Sequence, residues 1–338
     1  MKYRTFCPTG WQVSEVGYGM WGMGAWSGSE DNESLGSLQR AIDLGCNFFD
    51  TAWAYGNGHS EKLLGQILRA NSDKKLYLAS KVPPKNKAWP AVDTSTVDDC
   101  YPPDHITEYV EKSLKNLGVE SLDLMQLHTW NDNWVGDTRI PETLGKLKTV
   151  GKVRAAGISL NRWQPSNGVK AVRAGFIDVV QVVYNIFDQN PEDELFPACR
   201  EKNVAVIARV PFDEGSLTGV LTEASRWPAG DWRNNYFSGE NLRNTLLRVE
   251  ALKLLLPAGM TLPELALRFI LSNHDVATAI PGMRKTRNVE ANLAASDKGQ
   301  LSGELLAALR RHRWDRKLTP ESFAAKAKRK LASFLPRR

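Results

Sequence analysis

Cysteine is scarce in this chain. Cys7, Cys46, Cys100 and Cys199 are the only four among 338 residues, and they lie far apart without CxxC spacing. That argues against a zinc site and reads as the reduced thiols of a cytoplasmic protein. No apolar run reaches about 18 residues, so no membrane span is expected. The opening Met1-Lys2-Tyr3-Arg4-Thr5 lacks the apolar stretch of a signal peptide. His, Asp and Glu do not cluster at strand ends as a metal-dependent barrel requires, so no metal is expected. Most of the chain also lacks basic excess. The net charge is +6, yet residues 301–338 carry +8 and the preceding 300 carry −2. A uniformly basic nucleic-acid binder does not look like this, and no nucleic-acid partner is expected. The basic tail, 316–338, with Lys326, Lys328, Arg329, Lys330, Arg337 and Arg338, reads as a solvated terminus.

What is present is the material of a well-filled core: 42% hydrophobic and 24% charged residues. Strand-like and helix-like segments alternate along most of the length, the pattern of an α/β fold with a parallel sheet. Residues 2–14 precede it as a hairpin around Pro8-Thr9-Gly10. Strands are predicted at 16–20, at Phe48-Phe49-Asp50, at 76–81, at 122–128, at 153–159, at 179–185, at 204–210 and at 277–282. Ser29 is the expected N-cap of the first helix, with Leu35, Leu38 and Ile42 on one face. Gly118 is expected to end a helix that begins near Asp104. Two long segments interrupt the alternation, 83–103 and about 212–240, and loops of that length in compact domains are usually lids or binding loops. Eight strands without a linker favour one (β/α)8 TIM barrel over residues 1–315, with an N-terminal β-hairpin and extra C-terminal helices, and place its chemistry at the strands' carboxyl ends.

Three consecutive strands end in Asp50, Lys81 and His128, and the loop after the first carries Tyr55. A phenol, with a pKa near 10, is a poor acid at neutral pH unless its anion is stabilised. A neighbouring ammonium does so, and a carboxylate holds that ammonium charged and in place. A histidine beside them suits a hydrogen bond to a carbonyl oxygen. Together these groups fit the protonation of an alkoxide as hydride arrives at a carbonyl. Side chains donate no hydride, so a nicotinamide or flavin is required.

At these residues the chain resembles the aldo-keto reductases, from the N-terminal hairpin to the last strand and helix. Asn47-Phe48-Phe49-Asp50-Thr51-Ala52, with Tyr55-Gly56 and Ser60-Glu61, is similar to the family's first signature, and Lys81 and His128 fall at its catalytic positions. The resemblance implies an oxidoreductase using NADPH/NADP+, bound without a GxGxxG fingerprint after a strand, and a small-molecule carbonyl substrate. Gly151 through Ser159, and Gln181 in Gln-Val-Val-Tyr-Asn, resemble the segments that contact the nicotinamide amide. Gly19-Met20-Trp21 resembles the turn beside the reacting ring. Gly282, Arg284, Asn288 and Asn292 match the stretch gripping the 2′-phosphate and adenine, with Arg284 as the expected phosphate reader.

Three departures stand out. Leu160 follows Ser159 where the family has Asn, so that contact is missing or passes to Asn161. Arg209, before Val210 and Pro211, replaces the aromatic residue that stacks on the nicotinamide. Cys7-Pro8-Thr9 replaces a Gly-Arg-Thr turn. Trp21, Trp53, Trp89, Trp130 and Trp232 are expected to wall the substrate site, a lining suited to bulky aldehydes, ketones or the apolar faces of sugars. The family also includes potassium-channel β subunits, which bind NADPH with little turnover, and that alternative stays open at this stage.

Overall fold

The computed structural model describes residues 1–24, 28, 30–161 and 163–316. Strands β1 (Tyr3–Phe6) and β2 (Trp11–Ser14) form an antiparallel hairpin. Eight further strands run parallel in sequence order: β3 (Tyr18–Gly19), β4 (Phe48–Asp50), β5 (Tyr77–Val82), β6 (Leu122–Leu127), β7 (Val153–Ser159), β8 (Val179–Val183), β9 (Ala205–Arg209) and β10 (Val276–Ala279). The first and last meet through isolated parallel bridges, Val16 with Ala279 and Gly19 with Gly282, which close the barrel. Gly17 N–H donates to the Ala279 carbonyl at 2.8 Å and Gly19 N–H to that of Pro281 at 3.0 Å. Glycine at 19 has a steric reason, since a Cβ there would lie 2.6 Å from the Ile280 carbonyl oxygen.

Helices cover the outside: α1 (Asp31–Asp43), α2 (His59–Ala70), α3 (Val97–Cys100), α4 (Pro103–Leu117), α5 (Arg139–Thr149), α6 (Val169–Ala174), α7 (Leu195–Lys202), α8 (Arg233–Tyr236), α9 (Asn241–Lys253), α10 (Leu262–Leu271), α11 (Thr286–Asp297) and α12 (Gly303–Arg310). Pro103 opens α4, and Gly118, left-handed at φ +70°, ends it, because only glycine takes that cap without strain. Helix α1 follows Glu30, and Ser29 lies outside the described residues. The 83–103 segment is more ordered than its composition suggests. Thr96 and Asp99 form a capping box on α3, and Trp134 donates its indole N–H to the Ser95 carbonyl at 2.7 Å.

Two apolar cores result from the alternation of strand side chains. One lies between the strands and the helices. The other fills the barrel's lower half with Phe48, Tyr77, Ala79, Leu124, Val179 and Ile207, together with Phe6 and Val13 of the hairpin. Phe6 meets Phe48 at 5.5 Å and Trp11 stacks on Tyr77 at 5.2 Å, so the hairpin plugs the amino-terminal end. The carboxyl ends of the strands lie at the opposite end. The basic tail needs one correction. Arg316, its first residue, is not solvated: its side chain is 4% exposed and paired with Asp188 and Asp213. Residues 317–338 lie outside the described part.

Candidate active site

Continuing each inward-facing strand by two residues beyond the apolar layer changes its chemistry. Phe48 gives way to Asp50, Ala79 to Lys81, Leu124 to Gln126 and Val179 to Gln181. In register, Lys81 lies opposite Gln126, and Ser159 opposite Gln181. The polar side chains converge on the Asp50 carboxylate. One oxygen accepts from Lys81 Nζ at 2.5 Å; the other accepts from Gln181 Nε2 at 2.7 Å and Gln126 Nε2 at 3.2 Å. Lys81, with no exposed surface, also donates to the Thr51 carbonyl at 2.7 Å. Such a buried ion pair is tolerated because its charges are matched and hydrogen-bonded. Gln126 is absent from the sequence-level site, although its place two residues before His128 put it on the same strand face.

Tyr55 stands over this pair, with Lys81 Nζ 5.1 Å from its ring centre. The turn that presents it depends on Gly56, which is left-handed at φ +67° and where a Cβ would lie 2.7 Å from the Gly24 carbonyl. Burial pushes the Tyr55 phenol up from its ordinary value, and the Lys81 ammonium is the strongest opposing influence. His128 lies 5.6 Å from Tyr55 between ring centres, with Trp89 edge-on at 4.4 Å. Burial, then Lys81 and Arg209, hold its imidazole well below the usual histidine range, so it is neutral at physiological pH. His128 Nδ1 and Gln126 Oε1 are buried without a hydrogen-bond partner among the described residues. The geometry therefore combines a protonated phenol, a cation beneath it and a neutral imidazole beside it.

The remaining residues surround this centre unevenly. Met20 is buried, its N–H donating to the Asp50 carbonyl, while Trp21 is 41% exposed. Gly17–Gly22 carries GxGxxG lettering, but its first half is the closing barrel strand. Ser159 is buried at the end of β7. Leu160 turns outward, its side chain packed so closely on Gly168 that a Cβ there would come within 2.7 Å. Asn161 uses its side-chain oxygen to accept the Trp163 N–H, so its carbonyl group stabilises its own turn. Arg209 ends β9, half-buried, and donates to the Leu160 carbonyl at 2.9 Å; Pro211 is buried just beyond. After β10, buried Tyr18 donates to the Met283 carbonyl at 2.9 Å, fixing the turn that carries Gly282 and half-buried Arg284. The first turn of α11 contains no acidic residue, Asn288 is exposed on it, and Asn292 is buried one turn later. Cationic Arg284 and Lys285 before a helix start free of carboxylates fit a phosphate dianion.

The tryptophans divide. Trp89 and Trp232 are exposed, at 47% and 38%, and with Trp21 they remain available at the carboxyl-end loops. Trp130 does not line the mouth as the sequence suggested. It is 1% exposed, packs against Trp134 and Phe176, and donates to Asp132 at 2.8 Å. Trp53 is half-buried and leans on α4, edge-on to Tyr109 at 4.7 Å, so its large face serves helix packing.

Residues 15–313 match the Aldo/keto reductase family. Over 295 residues the chain is 29% identical to the Schizosaccharomyces pombe aldo-keto reductase yakc, whose name carries NADP(+), covering 84% of each. Over 296 residues it is 30% identical to the NADH-specific methylglyoxal reductase of Escherichia coli (strain K12), covering 84% of this chain and 90% of that protein. The solved structure of a glycerol dehydrogenase from Gluconobacter oxydans superposes with a TM-score of 0.77 at 26% identity, covering 94% of this chain and 98% of the other. The family match spans every barrel strand, and the chain belongs to the aldo/keto reductase family.

Proposed function

We propose that the protein is an NADPH-dependent carbonyl reductase acting on aldehydes, with ketones or sugars as the alternative substrates of the same site. The observation that carries the reading is the buried Lys81–Asp50 pair, 2.5 Å across, beneath the Tyr55 ring with neutral His128 alongside. Bound NADPH supplies the hydride that adds to the carbonyl carbon. Tyr55 gives its phenolic proton to the carbonyl oxygen, and the ammonium of Lys81 stabilises the phenolate left behind until solvent returns a proton. Asp50, held by Gln126 and Gln181, keeps Lys81 in place. His128, neutral, orients the carbonyl oxygen by hydrogen bonding and does not compete as an acid. Ser159, Asn161, Gln181 and the Gly19-Met20-Trp21 turn would hold the nicotinamide end, with Arg209 stacked on the ring or paired with an anionic substrate group. Arg284, with Asn288, Asn292 and Gly282, would hold the adenosine end. NADPH is preferred because Arg284 offers paired charge-assisted hydrogen bonds to a 2′-phosphate. Trp21, Trp89 and Trp232 give the substrate a flat apolar rim.

We further place residues 1–315 in a single functional unit and the protein in the cytoplasm, which its four free cysteines suit. No helix among the described residues is long and apolar enough to cross a membrane. The test is loss of nicotinamide absorbance on mixing protein, NADPH and a panel of aldehydes, repeated with Tyr55→Phe. The substitution is expected to lower kcat by about 100-fold or more. Equal rates would remove Tyr55 from its role. Tight NADPH binding without turnover of any carbonyl would favour an accessory subunit.

A further inference from the structure

We propose that Arg316 is a positioning residue for cofactor binding, acting from beyond α12 on the loop that leaves β9; the inference rests on the reductase reading above. That loop is conformationally costly. Val210, Asp213 and Glu214 have φ of 56°, 45° and 56°, a left-handed region that non-glycine residues, and β-branched valine above all, adopt only when their surroundings impose it. The surroundings are explicit. The fully buried Asp213 carboxylate accepts from Tyr236 Oη at 2.5 Å, from Ser216 Oγ at 2.7 Å and from Arg316 Nη2 at 2.7 Å. The same Arg316 nitrogen donates to Asp188 at 3.0 Å, and its guanidinium lies 4.6 Å from the Trp314 ring centre.

Asp188 closes a circuit. It accepts from Asn185 Nδ2 at 2.9 Å, and Asn185 Nδ2 also donates to the Val210 carbonyl at 3.1 Å. Arg316 therefore grips the strained loop at both ends, directly through Asp213 and indirectly through Asp188 and Asn185. The loop starts at Arg209, whose charge bears on both Tyr55 and His128. Removing the guanidinium leaves two buried carboxylates without their shared cation, and the loop must relax to hydrate them. The consequence falls on Arg209 and Pro211, and through them on the cofactor.

The experiment titrates NADPH by fluorescence into wild type, Arg316→Met and Arg316→Lys, with thermal melting and steady-state kinetics alongside. Arg316→Met is expected to raise the NADPH Kd about tenfold or more, while kcat at saturating NADPH changes by less than about threefold; Arg316→Lys, which keeps the charge but not the fork, recovers part of the affinity. A lower melting temperature with an unchanged Kd in either variant would mean that Arg316 serves stability alone, overturning the inference. If Arg316→Met does not fold, Arg316→Lys carries the same test, and a Kd equal to wild type overturns it. Wild type that fails to bind NADPH refutes the reductase reading itself, a result distinct from wild type and variants binding alike.

Discussion

Tyr55 and His128 stand 5.6 Å apart between ring centres, and burial moves their proton affinities in opposite directions. The phenol is raised above its ordinary 10.0 and the imidazole is held well below 6.5. Across neutral pH neither group changes state, so kcat/KM for reduction should vary by less than about threefold from pH 7 to pH 9. A pH–rate profile with an inflection near 7 or 8 would contradict the assignment. Stability carries a second consequence. His128 stays neutral in the fold while the unfolded chain takes up its proton near pH 6.5, so the native state loses stability as pH falls below that value. Urea midpoints at pH 7.5 and 5.5 should fall further for wild type than for His128→Asn, and equal falls would refute this. Arg284→Ala should cut the preference for NADPH over NADH by about tenfold or more, since the proposed contact with the 2′-phosphate, which NADH lacks, is lost. An unchanged ratio of kcat/KM values would place the phosphate elsewhere. At this scale the sequence was legible where strand ends announced themselves. Asp50, Lys81 and His128 each terminate an apolar run, and Tyr55 follows in a glycine-bracketed loop. Gln126 escaped because a glutamine inside a strand announces nothing alone. Trp130 misled because tryptophan content does not say which way a ring faces.

The hairpin β1–β2 and the loops show what elements contribute. Phe6 has no exposed surface and meets both Trp11 and Phe48, so it links the hairpin to the barrel interior. Phe6→Ala should lower unfolding free energy by about 3–5 kcal/mol, the cost of a buried phenylalanine cavity, and leave the NADPH Kd unchanged. Denaturant unfolding and a cofactor titration check both halves; a matching loss of affinity would show that the hairpin reaches the site. Strand and helix positions were readable because β6 and β8 are short, mainly apolar runs between turn residues, and because Gly118 marks the end of α4; Pro103, which opens that helix, reads in the sequence as part of the preceding loop. The 83–103 segment was readable only as an interruption. Its ordering depends on the Thr96–Asp99 capping box and on Trp134, a partner about 40 residues away in sequence, which local composition cannot reveal.

For the whole molecule, closure of the barrel was implied by eight strands but not visible in any of them. It depends on backbone contacts between residues 15–19 and 277–282, near opposite ends of the chain, at a seam where Gly19 leaves no room for a side chain. Arg316 shows the same limit. Its neighbours in sequence, Trp314, Asp315 and Lys317, give no sign of burial, and the carboxylates that hold it, Asp188 and Asp213, lie 128 and 103 residues away, so only tertiary structure identifies it as buried. The barrel places apolar layers at one end and convergent polar groups at the other, and the reductase reading depends on a hydride reaching a carbonyl there. The most direct measurement uses NADPH carrying deuterium at both C4 positions, with an aldehyde as substrate and mass spectrometry of the product. The account predicts one deuterium on the carbinol carbon of the alcohol, with turnover abolished or strongly reduced in Tyr55→Phe. An alcohol free of deuterium, or no alcohol from any aldehyde despite bound NADPH, would contradict it.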